Sequence, residues 1–186
     1  MKRKLMMLAA SAAIATTTNA QNTPLWMRHC AISPDGTTIA FTYKGDIYTV
    51  PSTGGKATPL TTHAAHDTHP IWSPDSKQIA FASARQGSMD IYIVDKEGGE
   101  PRRLTTHSGT EAPVAFLDNT RLLFQATIMP EANDMAFPSK QFPQIYQVST
   151  QGGRPTLFSS LPMEDISVSP DGKTLLYHDK KGYEDA

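Results

Sequence analysis

The sequence predicts an all-β fold, a β-propeller of four-stranded antiparallel blades, incomplete within its 186 residues: three blades plus half of a fourth. Three observations predict it. A Ser-Pro-Asp-Gly turn recurs along the chain, each copy is followed by the same ordered landmarks, and the 12 Gly and 14 Pro are spread at intervals instead of forming one low-complexity block. Four short strands per period of about 40–45 residues is the pattern of a propeller blade. A β-sandwich has no reason to repeat one turn sequence, and no segment sustains the 3.6-residue periodicity of a helical repeat.

The landmarks follow one order. Ser33-Pro34-Asp35-Gly36 returns as Ser73-Pro74-Asp75-Ser76 and Ser169-Pro170-Asp171-Gly172, with a degenerate copy at Phe116-Leu117-Asp118-Asn119. Ser at position i, Pro at i+1, Asp at i+2 and Gly at i+3 suit a type I turn. Apolar segments come next: Ile39-Ala40-Phe41, Ile79-Ala80-Phe81, Leu122-Leu123-Phe124 and Leu175-Leu176-Tyr177. They lead to Asp46-Ile47-Tyr48, Asp90-Ile91-Tyr92 and Gln144-Ile145-Tyr146, rich in the β-branched and aromatic residues of a buried strand. Gly-Gly pairs at 54–55, 98–99 and 152–153 permit the positive φ of a tight connection. Leu60-Thr61, Leu104-Thr105 and Leu157-Phe158 close each repeat.

Strands A to D are therefore expected near 28–32, 38–42, 46–50 and 57–61 in the first blade, and near 69–73, 78–82, 90–94 and 101–105 in the second. The third has them near 112–116, 121–127, 144–148 and 154–158; the fourth supplies two, near 165–169 and 174–178. The blades run over about 26–62, 66–106, 110–159 and 163–186. Propellers close with about four to eight blades, so the expectation is an N-terminal portion of a longer chain, with a homo-oligomer as the other way to cover the open sheet.

Residues 1–20 stand apart. Lys2, Arg3 and Lys4 precede an apolar run from Leu5 to Ala15, and Thr18 and Ala20 occupy positions −3 and −1 of a cleavage site before Gln21. This is the layout of a secretory signal peptide, too short for a membrane anchor, and it places the protein in the periplasm or outside the cell. Its removal takes away those three cations and leaves 166 residues with a formal charge of −4, which argues against a nucleic-acid partner. Cys30, the one cysteine, lies in an apolar strand-like run and is expected to be a buried, inert thiol.

Chemistry-bearing patterns are few. There is no Gly-x-Ser-x-Gly elbow, no His-Glu-x-x-His and no P-loop, so no catalytic residue is assigned and no cofactor is expected. Asp35, Asp75 and Asp171 recur with the turns, which gives them turn roles. His63, His66, Asp67 and His69 form the one group with metal-ligand chemistry, but His63 has a counterpart in His107 and His69 in His29, so the repeat explains most of it. The third blade carries a long insertion between its second and third strands. There Met129, Met135, Phe137 and Phe142 offer an apolar surface for a peptide or a neighbouring domain, on the face that also carries the histidine loop.

The motif Trp-Ser-Pro-Asp-x-x-x-Ile-Ala-Phe at 72–81, followed by Asp-Ile-Tyr-x-Val, Gly-Gly and Leu-Thr, resembles the propeller repeats shared by TolB and the tricorn protease. The likeness spans nearly all of the chain after residue 20. The first blade begins within about ten residues of the cleavage site, where TolB-type proteins carry an extra domain, and 177–185 resembles exported bacterial tricorn-like proteases. That family implies a large serine peptidase whose propellers scaffold the enzyme and filter peptides, with PDZ and peptidase regions further along the chain. Two alternatives stay open: a TolB-like protein-binding propeller without enzymatic activity, and the propeller of a prolyl-oligopeptidase-like enzyme.

Overall fold

Aromatic and β-branched residues at alternate positions build each sheet from the middle outward. The computed structural model describes residues 26–107, 109–126, 144–161 and 163–179. Its first sheet runs β1 (Arg28–Ile32), β2 (Thr38–Tyr43), β3 (Asp46–Pro51), β4 (Thr58–Pro59). The second is β5 (Asp67–Trp72), β6 (Gln78–Gln86), β7 (Ser88–Asp95), β8 (Arg102–Arg103). The third is β9 (Glu111–Asp118), β10 (Arg121–Ala126), β11 (Gln144–Ser149), β12 (Thr156–Ser159). A hairpin of β13 (Met163–Val168) and β14 (Leu175–Asp179) forms the fourth. All neighbours are antiparallel and in sequence order, as propeller blades require.

The repeated apolar landmarks meet across the two central strands of each blade. Phe41 pairs with Tyr48, Phe81 with Tyr92 and Phe124 with Tyr146, with ring centroids 5.8, 6.0 and 5.8 Å apart. Such cross-strand aromatic pairs add stability beyond their buried area. Blades then pack face to face. Ala40 and Ile47 of the first meet Trp72, Ile79, Phe81 and Tyr92 of the second; Ala80, Ile91 and Ile93 meet Phe116, Phe124 and Tyr146 of the third; Leu123 and Ile145 meet Met163 and Leu175 of the hairpin. The first strands β1, β5, β9 and β13 adjoin one another in turn, so they form the inner wall of the fan.

The turn chemistry is as the sequence reads it. In the first copy the Gly36 amide donates to Ser33 O at 2.8 Å, while the Ser33 hydroxyl and the Thr37 amide both donate to Asp35 Oδ1. Those bonds, the hydroxyl's first, hold the exposed Asp35 carboxyl down at about 2. Where the fourth turn residue is not glycine, its side chain joins blades: the Asp35 amide donates to Ser76 Oγ and the Asp75 amide to Asn119 Oδ1, each at 3.0 Å. At Gly172 the neighbouring blade comes closer, and a Cβ there would lie 2.5 Å from Leu117 O.

Three expectations need correction. Cys30 is exposed. Alternation along β1 turns Ala31 toward the second blade and Cys30 with Ile32 to the opposite face, against which no sheet of the described residues packs. Phe116 pairs with Leu122 just as Trp72 pairs with Ile79, so Phe116 takes the place of Trp72 and not of Ser73. In β12, Leu157 opposes Tyr146 as Pro59 opposes Tyr48, so Phe158 is the equivalent of Leu60 and Leu104. The outermost strands β4 and β8 are two residues long, because beyond Pro59 the amides of Leu60 and Thr61 both turn in to Ile47 O.

Candidate functional site

A bulge in each of β1, β5 and β13 places one residue of the inner wall in the left-handed region: His29 at φ 50°, His69 at φ 53° and Asp165 at φ 50°. Non-glycine residues adopt this conformation only when their surroundings hold them there. Pro113 takes the matching position in β9. The rings of His29 and His69 stack with centroids 3.7 Å apart and a 30° tilt, and both side chains are exposed. Thr68 Oγ1 lies 3.0 Å from His29 Nδ1 and 3.2 Å from His69 Nδ1. Desolvation lowers both rings below the usual histidine value; Arg28 and then His66 add to this at His29, as do His29 and then His66 at His69.

The remaining members of the histidine loop are held by the fold. His63 Nδ1 accepts the Ala65 amide at 3.0 Å, and its counterpart His107 accepts the Gly109 amide at 3.0 Å. His66 lies over the turn between β2 and β3, where a Cβ on Gly45 would be 3.3 Å from its Nδ1. The Asp67 amide donates to Gly45 O at 2.7 Å, so this connection and the β2–β3 turn share a face. The Asp67 side chain is fully buried and ion-paired to Arg85 at 2.7 Å. Among the described residues, no group of three or more His, Cys, Asp or Glu is placed to hold a metal. Met129, Met135, Phe137 and Phe142 lie outside the described residues.

Two buried polar clusters at the blade junctions escaped the sequence reading. Thr61 Oγ1 accepts the Ile47 amide at 2.9 Å beside Asp46, whose carboxyl is raised by burial and then by Asp67. In the next junction Thr105 Oγ1 accepts the Ile91 amide at 2.9 Å and donates to Glu111 Oε2. There Asp90 pairs with Arg103 at 2.8 Å, and Glu111 Oε1 is buried without a partner. Burial, together with the nearby Asp90 carboxylate, pushes Glu111 up to about 7 despite the Thr105 hydrogen bond. The signal was present: in both repeats an acid follows the strand-D threonine by six residues, Asp67 after Thr61 and Glu111 after Thr105. Among the described residues no serine hydroxyl or thiol is hydrogen-bonded to a histidine ring, and Ser33, Ser73 and Ser169 spend their hydroxyls on Asp35, Asp75 and Asp171.

Residues 24–185 match the family described as the tricorn protease N-terminal β-propeller domain. Among solved structures, a chain described as TolB from Agrobacterium tumefaciens is similar at 22% identity and a TM-score of 0.64, over 85% of this chain and 61% of that one. TolB from Acinetobacter baumannii is similar at 24% identity and a TM-score of 0.62, over 83% of this chain and 38% of that one. The tricorn protease is similar at 18% identity and a TM-score of 0.50, over 66% of this chain and 13% of that one. The chain thus spans less than two thirds of the length of each, and these likenesses speak to the fold. Among the described residues no helix is long and apolar enough to cross a membrane.

Proposed function

The chain belongs to the family of tricorn protease N-terminal β-propeller domains, and from that premise we propose that it is the non-catalytic propeller region of an exported tricorn-like serine peptidase, acting as scaffold and peptide gate. The observation that carries this reading is the inner wall: adjoining first strands that carry the exposed, hydrogen-bonding His29 and His69. A peptide passing along that wall would meet polar side chains on rigid strands, which suits sampling and filtering better than bond cleavage. Export is supported by the basic start, the apolar run and the Thr18-x-Ala20 site. The apolar residues Met129, Met135, Phe137 and Phe142 of the third-blade insertion would serve as a contact for peptide or for peptidase and PDZ regions of the same protein.

The test is photo-crosslinking of peptides of graded length to the exported protein, read by mass spectrometry. Crosslinks at 28–31 and 67–70 that compete with peptide turnover support the gate. Absence of turnover, with crosslinks confined to folded envelope proteins, would replace it with the TolB-like binding role.

A further inference from the structure

Thr68 has one hydroxyl proton, yet its oxygen touches Nδ1 of two imidazoles. When both rings are neutral, the hydroxyl donates to one Nδ1 and accepts from the other. The first ring then carries its proton on Nε2, and the second shows a bare Nε2 lone pair. When the pair holds one extra proton, both Thr68 contacts survive and both rings carry Nε2–H. When it holds two, both Nδ1 atoms donate to one oxygen and two cations face each other at 3.7 Å. The pair can therefore take up one proton while keeping both Thr68 contacts and without setting two cations face to face. In that state both rings carry Nε2–H and the pair carries one positive charge.

We infer that the stacked His29–His69 pair on the inner wall is a carboxylate-binding site that takes up one proton from solvent as the anion docks. The surroundings fit a charge-neutral resting pair. Burial first, and then Arg28 on β1 and His66 before β5 at His29, and His29 and His66 at His69, disfavour the protonated rings. Of the acids on the adjoining elements, Asp67 is tied to Arg85, Asp46 sits beside Thr61, Glu111 is buried at the next junction, and Asp165 occupies the matching bulge of β13. None of them supplies the pair with a hydrogen-bonded counter-ion. A docking carboxylate would supply it, and Arg28, which lies over the exposed Trp26 ring at 5.3 Å, would add attraction at the entrance. The inference deepens the gate reading by naming the group on a peptide that the wall recognises.

The experiment uses the whole chain after residue 20, with acetate and three blocked tripeptides as probes. One peptide carries a glutamate side chain and an amidated end, one a free C-terminal carboxylate and no acidic side chain, and one carries neither. Binding is followed by histidine nitrogen NMR and by calorimetry in buffers of different ionisation enthalpy. The expected result is uptake of one proton per carboxylate bound, with affinity falling tenfold per pH unit above the pair's own titration. His29→Asn and His69→Asn keep a residue tolerant of the left-handed backbone and should each abolish the uptake; Thr68→Val should weaken it at least fivefold. Binding of the glutamate peptide alone assigns acidic side chains as the source, and binding of the free-ended peptide alone assigns chain termini. Binding of the neutral peptide as tightly as the acidic ones, carboxylate binding without proton uptake, or uptake that survives both asparagine variants would overturn the inference. Failure with acetate and with both acidic peptides does the same, yet leaves the crosslinking test of the gate untouched.

Discussion

Replacing Glu111 with glutamine should stabilise the protein at neutral and alkaline pH and do nothing at pH 4. The carboxyl is fully buried, keeps one oxygen unpartnered, and is pushed up to about 7 by burial and by Asp90. In the unfolded chain it titrates near 4.5. Below 4.5 the group is protonated in both states and takes nothing from stability. Between 4.5 and 7 the unfolded chain releases the proton and the folded chain still holds it, so stability falls as pH rises. Above 7 the loss is complete. A difference of about 2.5 units, at 1.36 kcal/mol each, corresponds to about 3 kcal/mol. Glu111→Gln mimics the protonated side chain and keeps an oxygen to accept the Thr105 hydroxyl, so it should recover most of that amount at pH 8. For a chain of this size that is about 6–12 °C in Tm. Urea or thermal unfolding of both proteins at pH 4, 6 and 8, followed by fluorescence of the buried Trp72, measures it directly. A glutamine variant less stable than the parent at pH 8, or one with an unchanged pH profile, would show that Glu111 is ionised and well satisfied in the fold.

Four other outcomes are expected. Arg85→Met should cost about 3–5 kcal/mol by leaving the buried Asp67 carboxylate unpaired, and adding Asp67→Asn should return part of the loss in a double-mutant unfolding cycle. Gly36→Ala, which meets nothing within 4 Å, should cost only about 1 kcal/mol for the left-handed backbone. Gly172→Ala has the same backbone but meets Leu117 O, and should cost about 1–3 kcal/mol more, seen as faster hydrogen exchange in β13 and β14. Mass spectrometry of the exported protein should find Gln21 at its N-terminus, and an intact Met1 in that fraction would contradict the signal-peptide reading.

What the sequence makes legible is whatever one blade does by itself. Phe41 and Tyr48, Phe81 and Tyr92, Phe124 and Tyr146 recur at fixed spacing because they pair across adjacent strands, and local alternation is enough to see them. The serine–aspartate turns are legible for the same reason, since Ser33, Asp35 and Thr37 satisfy one another within five residues. Register is not legible where the pattern decays: at the shortened turn after Phe116 and in the strand at Leu157, the residues sit one position away from where the repeat places them. The exposure of Cys30 depends on which sheets lie beside β1, and nothing in an apolar run encodes that.

The contacts between blades were the harder part, and they sit where the repeat is broken. Ser76 and Asn119 stand where the other turns have glycine, and each reaches an amide of the preceding blade. Glu111 stands where the previous junction has Asp67; its longer side chain reaches Thr105 directly, and the arginine of that junction comes from strand D instead of strand B. His29 and His69 are legible as equivalents, but their stacking follows from two bulges of the same shape on adjoining inner strands, 40 residues apart. Pro113 and Asp165 replace histidine at the matching positions of β9 and β13, so the first two inner strands carry imidazoles there and the fourth an acid. A strict repeat would give a symmetric ring with no preferred orientation for a ligand. On the gate reading proposed above, these departures would draw a peptide carboxylate toward the imidazoles of the first two blades.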